Sequence, residues 1–238
     1  MEKPLLNVVK LSQIPIFQQL QWEEALLRAD ERNWCLINSG SPPAIVMGIS
    51  GQIDLLINQE KIKCKPIPLI RRFSGGGTVV VDHNTLFVTF VCQTDALSVQ
   101  PFPKYLMDWT ANIYEPLFAT ESFSIRENDY VFGDRKWGGN AQSITRKRWL
   151  HHSSLLWDYE AEMMDYLLLP KKMPEYRSFR THTDFLCRLS EFWEGKEAFL
   201  ERLTQQIEKH FEVEHRKMDE LIEIASLSHR KTTVLIEY

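Results

Sequence analysis

Glycine is scarce in this 238-residue chain, with only ten in all. It loses more conformational entropy on folding than any other residue, so a chain that uses it sparingly needs a reason to set several together. Cysteine is scarcer still. Cys35, Cys64, Cys92 and Cys187 show no C-x-x-C spacing, which argues against a disulfide framework or a structural zinc site and suits a reducing compartment. No apolar run approaches the ~20 residues needed to span a bilayer. The opening MEKPLLNVVKL has neither the apolar core of a secretory signal nor the Arg/Ser-rich character of a transit peptide. The expectation is a cytoplasmic soluble protein with no membrane segment. A basic excess is also missing: 28 Lys and Arg against 32 Asp and Glu leave a net charge of −4, which argues against a general nucleic-acid binder. Neither the GxxxxGK[ST] phosphate loop nor the GxGxxG dinucleotide fingerprint occurs.

What is present reads as one domain, residues 1–238, long enough to bury a core without metal or disulfide staples. FQQLQWEEALLRADE (17–31) has the period of an imperfect amphipathic helix. WCLIN and PAIVMGI read as short buried strands separated by the turn-like SGSPP. PIPLI leads into the glycine triplet, and TVVVDHNTLFVTFVC then reads as a hairpin around Asp82-His83-Asn84. YLMDWTANIYEPLF (105–118) is helical by period. Residues 123–158 alternate strand-like runs with turn signals at Gly133-Asp134 and Arg146-Lys147, which suggests a three-stranded meander. KEAFLERLTQQIEKHFEVEH (196–215) has helix period, and further helical turns and a final strand, TTVLIEY, follow. The predicted class is α+β, a mostly antiparallel β-sheet flanked by helices.

Six of the ten glycines fall in two places: Gly75-Gly76-Gly77, and Gly133 with Gly138-Gly139. Both clusters lie beside paired basic residues, Arg71-Arg72 and Arg135-Lys136. Glycine lets main-chain N–H groups approach an anion, and basic side chains neutralise it. A tight turn, a bulge or close strand packing explains either cluster equally well taken alone. If the stretch before the triplet is extended, Arg71 and Arg72 point to opposite faces, so one faces the ligand and the other braces a neighbouring loop.

RRFSGGGTVVVD (71–82) resembles the RRxSGGGxVxHD signature of the lipoate–protein ligase A branch of the biotin/lipoate ligase and octanoyltransferase superfamily. ENDYVFGDRKWGGNAQ (127–142) is similar to its second signature, NDxxxxGxKxxGxAQ. QLQWEEALL, PAIVMGISGQ and LHHSSLLWD fall in the same order as the family's first helix, the strand-loop after it and its HGTLL strand. The resemblance runs over roughly residues 15–160 and implies a biotin/lipoate ligase-like catalytic domain. Because the sequence ends at Tyr238, it implies the single-domain form without the C-terminal accessory domain, some members of which need a separate activating partner.

The activity implied is two-step: lipoate or octanoate reacts with ATP and Mg²⁺ to give an acyl-adenylate, and the acyl group passes to a lysine of a lipoyl acceptor domain. Acceptors would be lipoyl domains of 2-oxoacid dehydrogenase complexes or the glycine cleavage H protein. Carried over residue by residue, Lys136 is the catalytic lysine, its compact ammonium bonding the acyl carbonyl and the phosphate. Arg72 and Ser74 contact phosphate or carboxylate, and the N–H groups of Gly75, Gly76 and Gly77 line the ligand. Asn128, Gly138, Gly139 and Ala141 complete the nucleotide and acyl site, and Asp129 holds Mg²⁺, one carboxylate plus phosphate oxygens being a usual arrangement. The Asn128-Asp129 pair equally suits an Asx turn. His151 and His152, adjacent on a strand, face opposite ways and read as structural.

Two other functions fit the same fold. In an acyltransferase without ATP, Cys187 would be the alternative nucleophile, its pKa lowered by Arg180, His182 and Arg188; a packed structural cysteine is the competing reading. A catalytically silent binding protein of the ligase fold is the third. The basic stretches RKRW (146–149), Lys171-Lys172 and YRSFR (176–180) would orient an acidic acceptor, and residues 170–185 would form a lid over the adenylate.

Overall fold

The computed structural model describes residues 2–118, 122–170 and 173–238. Strand β1 (Leu5–Ser12) leads to helix α1 (Ile16–Ala29), then β2 (Trp34–Ser39) and β3 (Ala44–Met47). Short helices α2 (Ile53–Leu56) and α3 (Gln59–Cys64) precede β4 (Leu69–Arg71), β5 (Val79–Val81) and β6 (Thr85–Gln93). After α4 (Pro103–Tyr114) come β7 (Phe123–Arg126), β8 (Asp129–Phe132), β9 (Arg135–Ile144) and β10 (Arg148–Leu156). Short turns then lead to α5 (His182–Phe185), α6 (Lys196–His210), β11 (Glu212–His215), α7 (Met218–Ser226) and β12 (Val234–Leu235).

The strands form two sheets, one in the order β11-β1-β2-β6-β10-β9-β8-β7 and a smaller one in the order β12-β4-β3-β5. Pairing is parallel where β1 meets β2 and β11 and where β3 meets β4, and antiparallel elsewhere. The class is the α+β arrangement expected. Helices α4 and α6 cover one face of the large sheet through Leu106, Ile113, Phe199, Leu203 and Ile207, packed with Trp137 and Trp149.

Helix α1 lies between the sheets. Its Trp22, Ala25 and Leu26 pack with Leu36, Val91 and Leu150 of the large sheet, while Ile16 and Leu20 pack with Val46, Ile70 and Val81 of the small one. Each of the leucine and isoleucine side chains contributes about 1.5–3 kcal/mol by leaving water. The helix has no side-chain cap of its own. Instead the Ser41 hydroxyl, from the β2–β3 connection, accepts the Ile16 N–H at 3.0 Å, satisfying one of the donors orphaned at a helix start.

Three local expectations are corrected. β5 and β6 are not a hairpin: β5 pairs with β3 in the small sheet, and β6 pairs with β2 and β10 in the large one. The meander has four strands, because the chain also reverses at Glu127-Asn128, between β7 and β8. The helix expected over 196–215 ends at His210, and Glu212–His215 form a strand beside β1. Among the described residues no helix is long and apolar enough to cross a membrane.

Candidate active site

The glycine triplet is the link between β4 and β5 in the small sheet. Strand alternation separates the two arginines before it as expected. Arg71 Nη1 donates to the carbonyls of Ile49 and Gly51, at 3.1 and 2.8 Å, bracing the loop after β3. Arg72 turns the other way and is buried. Its Nε donates to Ser74 Oγ at 3.1 Å, and its Nη2 to the carbonyls of Gly75 and Gly77 at 2.6 and 2.9 Å. A trans peptide points its C=O and the following N–H in opposite directions, so the N–H groups of Gly76 and Thr78 are directed away from the guanidinium. Burial pushes the Arg72 pKa down to about 10, against the charge of Glu23, and it stays cationic at neutral pH.

Only the middle glycine is required by the fold. Gly76 has φ +104°, and a Cβ there would lie 2.7 Å from Arg72 Nη2. At Gly75 and Gly77 a Cβ would meet nothing within 4 Å, and neither residue is left-handed. Nothing in the chain itself accounts for glycine at these two positions, whereas a ligand lying against the backbone would.

Lys136 stands at the start of β9, where the register against β8 slips: Tyr130 faces Gly138, but Val131 faces Lys136. In a regular strand residues 136 and 139 would lie on opposite faces; one extra residue restores them to the same face. Trp137 fills the core, and the Lys136 side chain lies across Gly139, where a Cβ would sit 2.9 Å from its Nζ. Lys136 Nζ then reaches Asp129 Oδ1 at 2.8 Å. The other oxygen, Oδ2, accepts the Tyr176 hydroxyl at 2.7 Å. Asn140 Nδ2 donates to the Asn128 carbonyl at 3.1 Å, fixing the β7–β8 turn. A Cβ on Gly138 would lie 2.9 Å from the Tyr130 ring and 3.1 Å from Leu155, so that glycine is demanded by packing behind the site.

The two motifs open onto one cavity of about 980 Å³. Arg72, Gly75, Gly76, Gly77, Asn128, Asp129, Lys136, Gly139 and Ala141 line it, with an apolar wall that includes Val46, Val79, Phe87 and Met107. Ser74 and Gly138 are not in the lining. Ser74 instead accepts from Arg72 and, through its carbonyl, from Ile49 N–H at 3.0 Å.

Cys187 is placed elsewhere, and its expected role is corrected. It is 1% exposed and belongs to the core beneath the large sheet. Burial pushes its thiol up to about 12, so no thiolate forms near neutral pH. The cations expected to activate it are engaged elsewhere: Arg180 with Asp134 at 3.0 Å and Arg188 with Asp158 at 2.6 Å. Its contribution is main-chain, the Cys187 N–H bonding the Lys136 carbonyl at 2.9 Å. Within the basic stretches Arg148 and Arg177 are buried, whereas Arg146 and Lys147 are exposed; Lys171-Lys172 lie outside the described residues.

Sequence reasoning missed a buried polar group at the cavity wall. Glu23 of α1 is fully buried. It binds His152 Nδ1 at 2.9 and 3.0 Å and accepts from Thr89 Oγ1 at 2.7 Å and Gln19 Nε2 at 2.8 Å. His152 lines the cavity beside Phe87. The adjacent His151 faces the other way, among Tyr130, Gln142 and Asn140. Burial and the neighbouring His152 hold its pKa at about 3, so it is neutral at physiological pH. The available signal was the pair of carboxylates in α1 with apolar residues on both sides.

The glycine loop and the bulge-mounted lysine thus come from different sheets and face one cavity. The chain belongs to the lipoyl protein ligase A/B catalytic-domain family, whose model matches residues 15–212. It is 29% identical to the inactive lipoate–protein ligase 2 of Plasmodium falciparum over 76% of this chain and 62% of that one. It is 27% identical to the lipoate-protein ligase LplJ of Bacillus subtilis, over 69% of this chain and 50% of that one. The chain thus spans 62% and 50% of the lengths of these two curated relatives. The fold matches the crystal structure of a lipoate-protein ligase A bound with ATP, with a TM-score of 0.72 at 16% identity, covering 94% of this chain and 93% of that one.

Proposed function

We propose that this chain is the catalytic domain of a lipoate–protein ligase. It activates lipoate or octanoate with ATP and transfers the acyl group to a lysine of a lipoyl acceptor domain, of a 2-oxoacid dehydrogenase complex or a glycine cleavage H protein. The observation that carries this reading is the convergence of the 75–77 backbone and Lys136, from different sheets, on one cavity with an apolar wall.

In the first step a carboxylate oxygen of the acid attacks the α-phosphorus of ATP; the bond from that phosphorus to the bridging oxygen breaks, and diphosphate leaves. In the second, the acceptor amine attacks the acyl carbonyl, the carbon–oxygen bond to AMP breaks, and the amine gives up a proton. Both steps build charge on oxygens that preorganised donors stabilise. Lys136, released from Asp129, donates to the carboxylate and the α-phosphate. The N–H groups of the triplet, held by Arg72 and Ser74, face the same oxygens, and the apolar wall takes the acyl tail. Asn140, through its bond to the Asn128 carbonyl, holds the turn that carries Asp129. Among the described residues no cluster of three or more His, Cys, Asp or Glu side chains is placed to hold a metal. Asp129, whose oxygens bind Lys136 and Tyr176, is the carboxylate that would hold Mg²⁺ together with phosphate oxygens once Lys136 turns to the substrate, the ion supplying further neutralisation of the phosphates.

The test is incubation with MgATP, lipoate or octanoate, and an apo acceptor domain, read by intact mass, with a Lys136→Ala sample alongside. One acyl mass added by the wild type and none by the variant supports the reading. Acyl transfer that needs no nucleotide, or that survives Lys136→Ala, refutes it. A second reading, a silent ligase-fold protein, is favoured by the relative named inactive. It predicts no lipoate-dependent ATP–diphosphate exchange, even when a separate activating partner is supplied.

A further inference from the structure

Arg177 is 5% exposed yet lines the cavity. Its Nε donates to the Arg180 carbonyl at 3.1 Å, and its guanidinium lies 4.8 Å over the Phe185 ring. Its Nη2 is buried with no hydrogen-bond acceptor among the described residues. A buried guanidinium without an anion is costly, and burial accordingly pushes its pKa down. The nearby carboxylates are committed. Asp129 is shared by Lys136 and Tyr176, Glu127 accepts the Glu175 N–H at 2.8 Å, and Asp134 holds Arg180.

Two further features show that this placement is built. Directly after Arg177, Ser178 and Phe179 are consecutive left-handed residues with φ 51° and 59°. Non-glycine residues occupy that region only when their surroundings enforce it. The turn throws Phe179 outward, 84% exposed, while Arg177 stays in. His182 lines the same cavity, and burial with the charges of Arg177 and Lys136 holds its pKa at about 4. It is therefore a neutral ring that offers a donor without adding repulsion.

We infer that Arg177 and His182 form a second anionic subsite of the cavity, and that its anion is inorganic diphosphate. This rests on the ligase reading, in which Lys136 and the glycine loop are occupied at the α-phosphate. The leaving group then needs its own counter-charge, and a guanidinium offers two parallel donors to adjacent phosphate oxygens.

The test is calorimetric titration of the full chain with inorganic diphosphate, orthophosphate and AMP at one ionic strength, with no acyl substrate. Wild type is expected to bind diphosphate more tightly than orthophosphate. Arg177→Ala should weaken diphosphate at least about tenfold, a difference well within reach of such titrations, and leave AMP within about twofold; Arg177→Lys should recover part of the loss. If the alanine variant does not fold, by its thermal transition, Arg177→Gln carries the same comparison. Unchanged diphosphate affinity in the variant overturns the inference, as does equal loss for AMP and diphosphate, or a wild type that does not prefer diphosphate to orthophosphate. No turnover is read, so a chain that forms no adenylate can still pass, and a fully active ligase can still fail.

Discussion

Alanine substituted in turn at the three adjacent glycines should separate stability from binding. At Gly76 the φ of +104° and a Cβ 2.7 Å from Arg72 Nη2 leave no room. Gly76→Ala should therefore destabilise the fold by more than the ~1 kcal/mol that glycine ordinarily costs, since an incompatible φ adds strain. Gly75 and Gly77 are neither left-handed nor crowded. Alanine there should stabilise by about 0.4–1 kcal/mol through the unfolded chain, raising the melting temperature by roughly 1–4 °C for a domain of this size. The same two substitutions should weaken ATP or acyl-adenylate binding at least about tenfold, because a methyl group would stand where the ligand meets the backbone. Circular dichroism melts and calorimetric titration of the three variants provide both readings. If Gly75→Ala and Gly77→Ala bind as wild type does, ligand approach is not the reason for those glycines, and the account of the loop fails.

Other perturbations probe the surroundings. Cys64 is exposed while Cys35, Cys92 and Cys187 are buried; one thiol per native chain should therefore react with a disulfide reagent, and prompt labelling of Cys187 would contradict its placement. Glu24 is buried yet its pKa is lowered. Burial pushes it up, and the hydroxyl and N–H groups of Thr232 with the N–H of Thr233 outweigh that. Its contribution is thus full above the unfolded value near 4.5 and is lost as pH falls through the lower folded value. Glu24→Gln should cost about 1.5–3 kcal/mol at pH 7, the range for a hydrogen bond to a charged group, with the gap closing below pH ~4.5; melting curves that run parallel from pH 7 to 3 would refute this. Tyr176→Phe removes the hydroxyl bond to Asp129 and should speed proteolysis within residues 173–185 several-fold, the local cost of one such bond; unchanged cleavage would show that the segment is held by other contacts.

The parts of the site legible in the sequence are those fixed by local rules. Alternation along a short strand separates Arg71 from Arg72, and clustered glycines beside basic residues mark both halves of the cavity. What local rules do not fix is which strand pairs with which. The apolar runs either side of Asp82-His83-Asn84 read as a hairpin, but they part into different sheets because β3 and β2 are already waiting as partners. The turn at Glu127 is taken with φ 54° by a residue that carries no turn signal. The stretch that forms α1 reads as an imperfect amphipathic helix, a pattern that assumes one buried face, whereas here sheets enclose the helix on both sides and bury Glu23 and Glu24 as well. Basic neighbours in sequence suggested an activated Cys187, but burial, which sequence proximity does not report, decides its state.

The bulge at Trp137 links these observations. The core needs the indole, which is fully buried and packs 5.3 Å from the Tyr130 ring. The cavity needs Lys136 on the face that carries Gly139 and Asp129. A regular strand cannot place 136 and 139 on one face. One extra residue satisfies both, and Gly139 then has to lack a side chain because the lysine lies where it would be. The Gly138-Gly139 pair is therefore two requirements set side by side, Gly138 for packing against Tyr130 and Gly139 for the path of Lys136. Replacing Gly139 with alanine should consequently displace Lys136 from Asp129 while leaving Trp137 in the core. The near-ultraviolet signal of the indole would then be retained as adenylate formation falls, whereas parallel loss of both would show that the lysine and the core are not separately held.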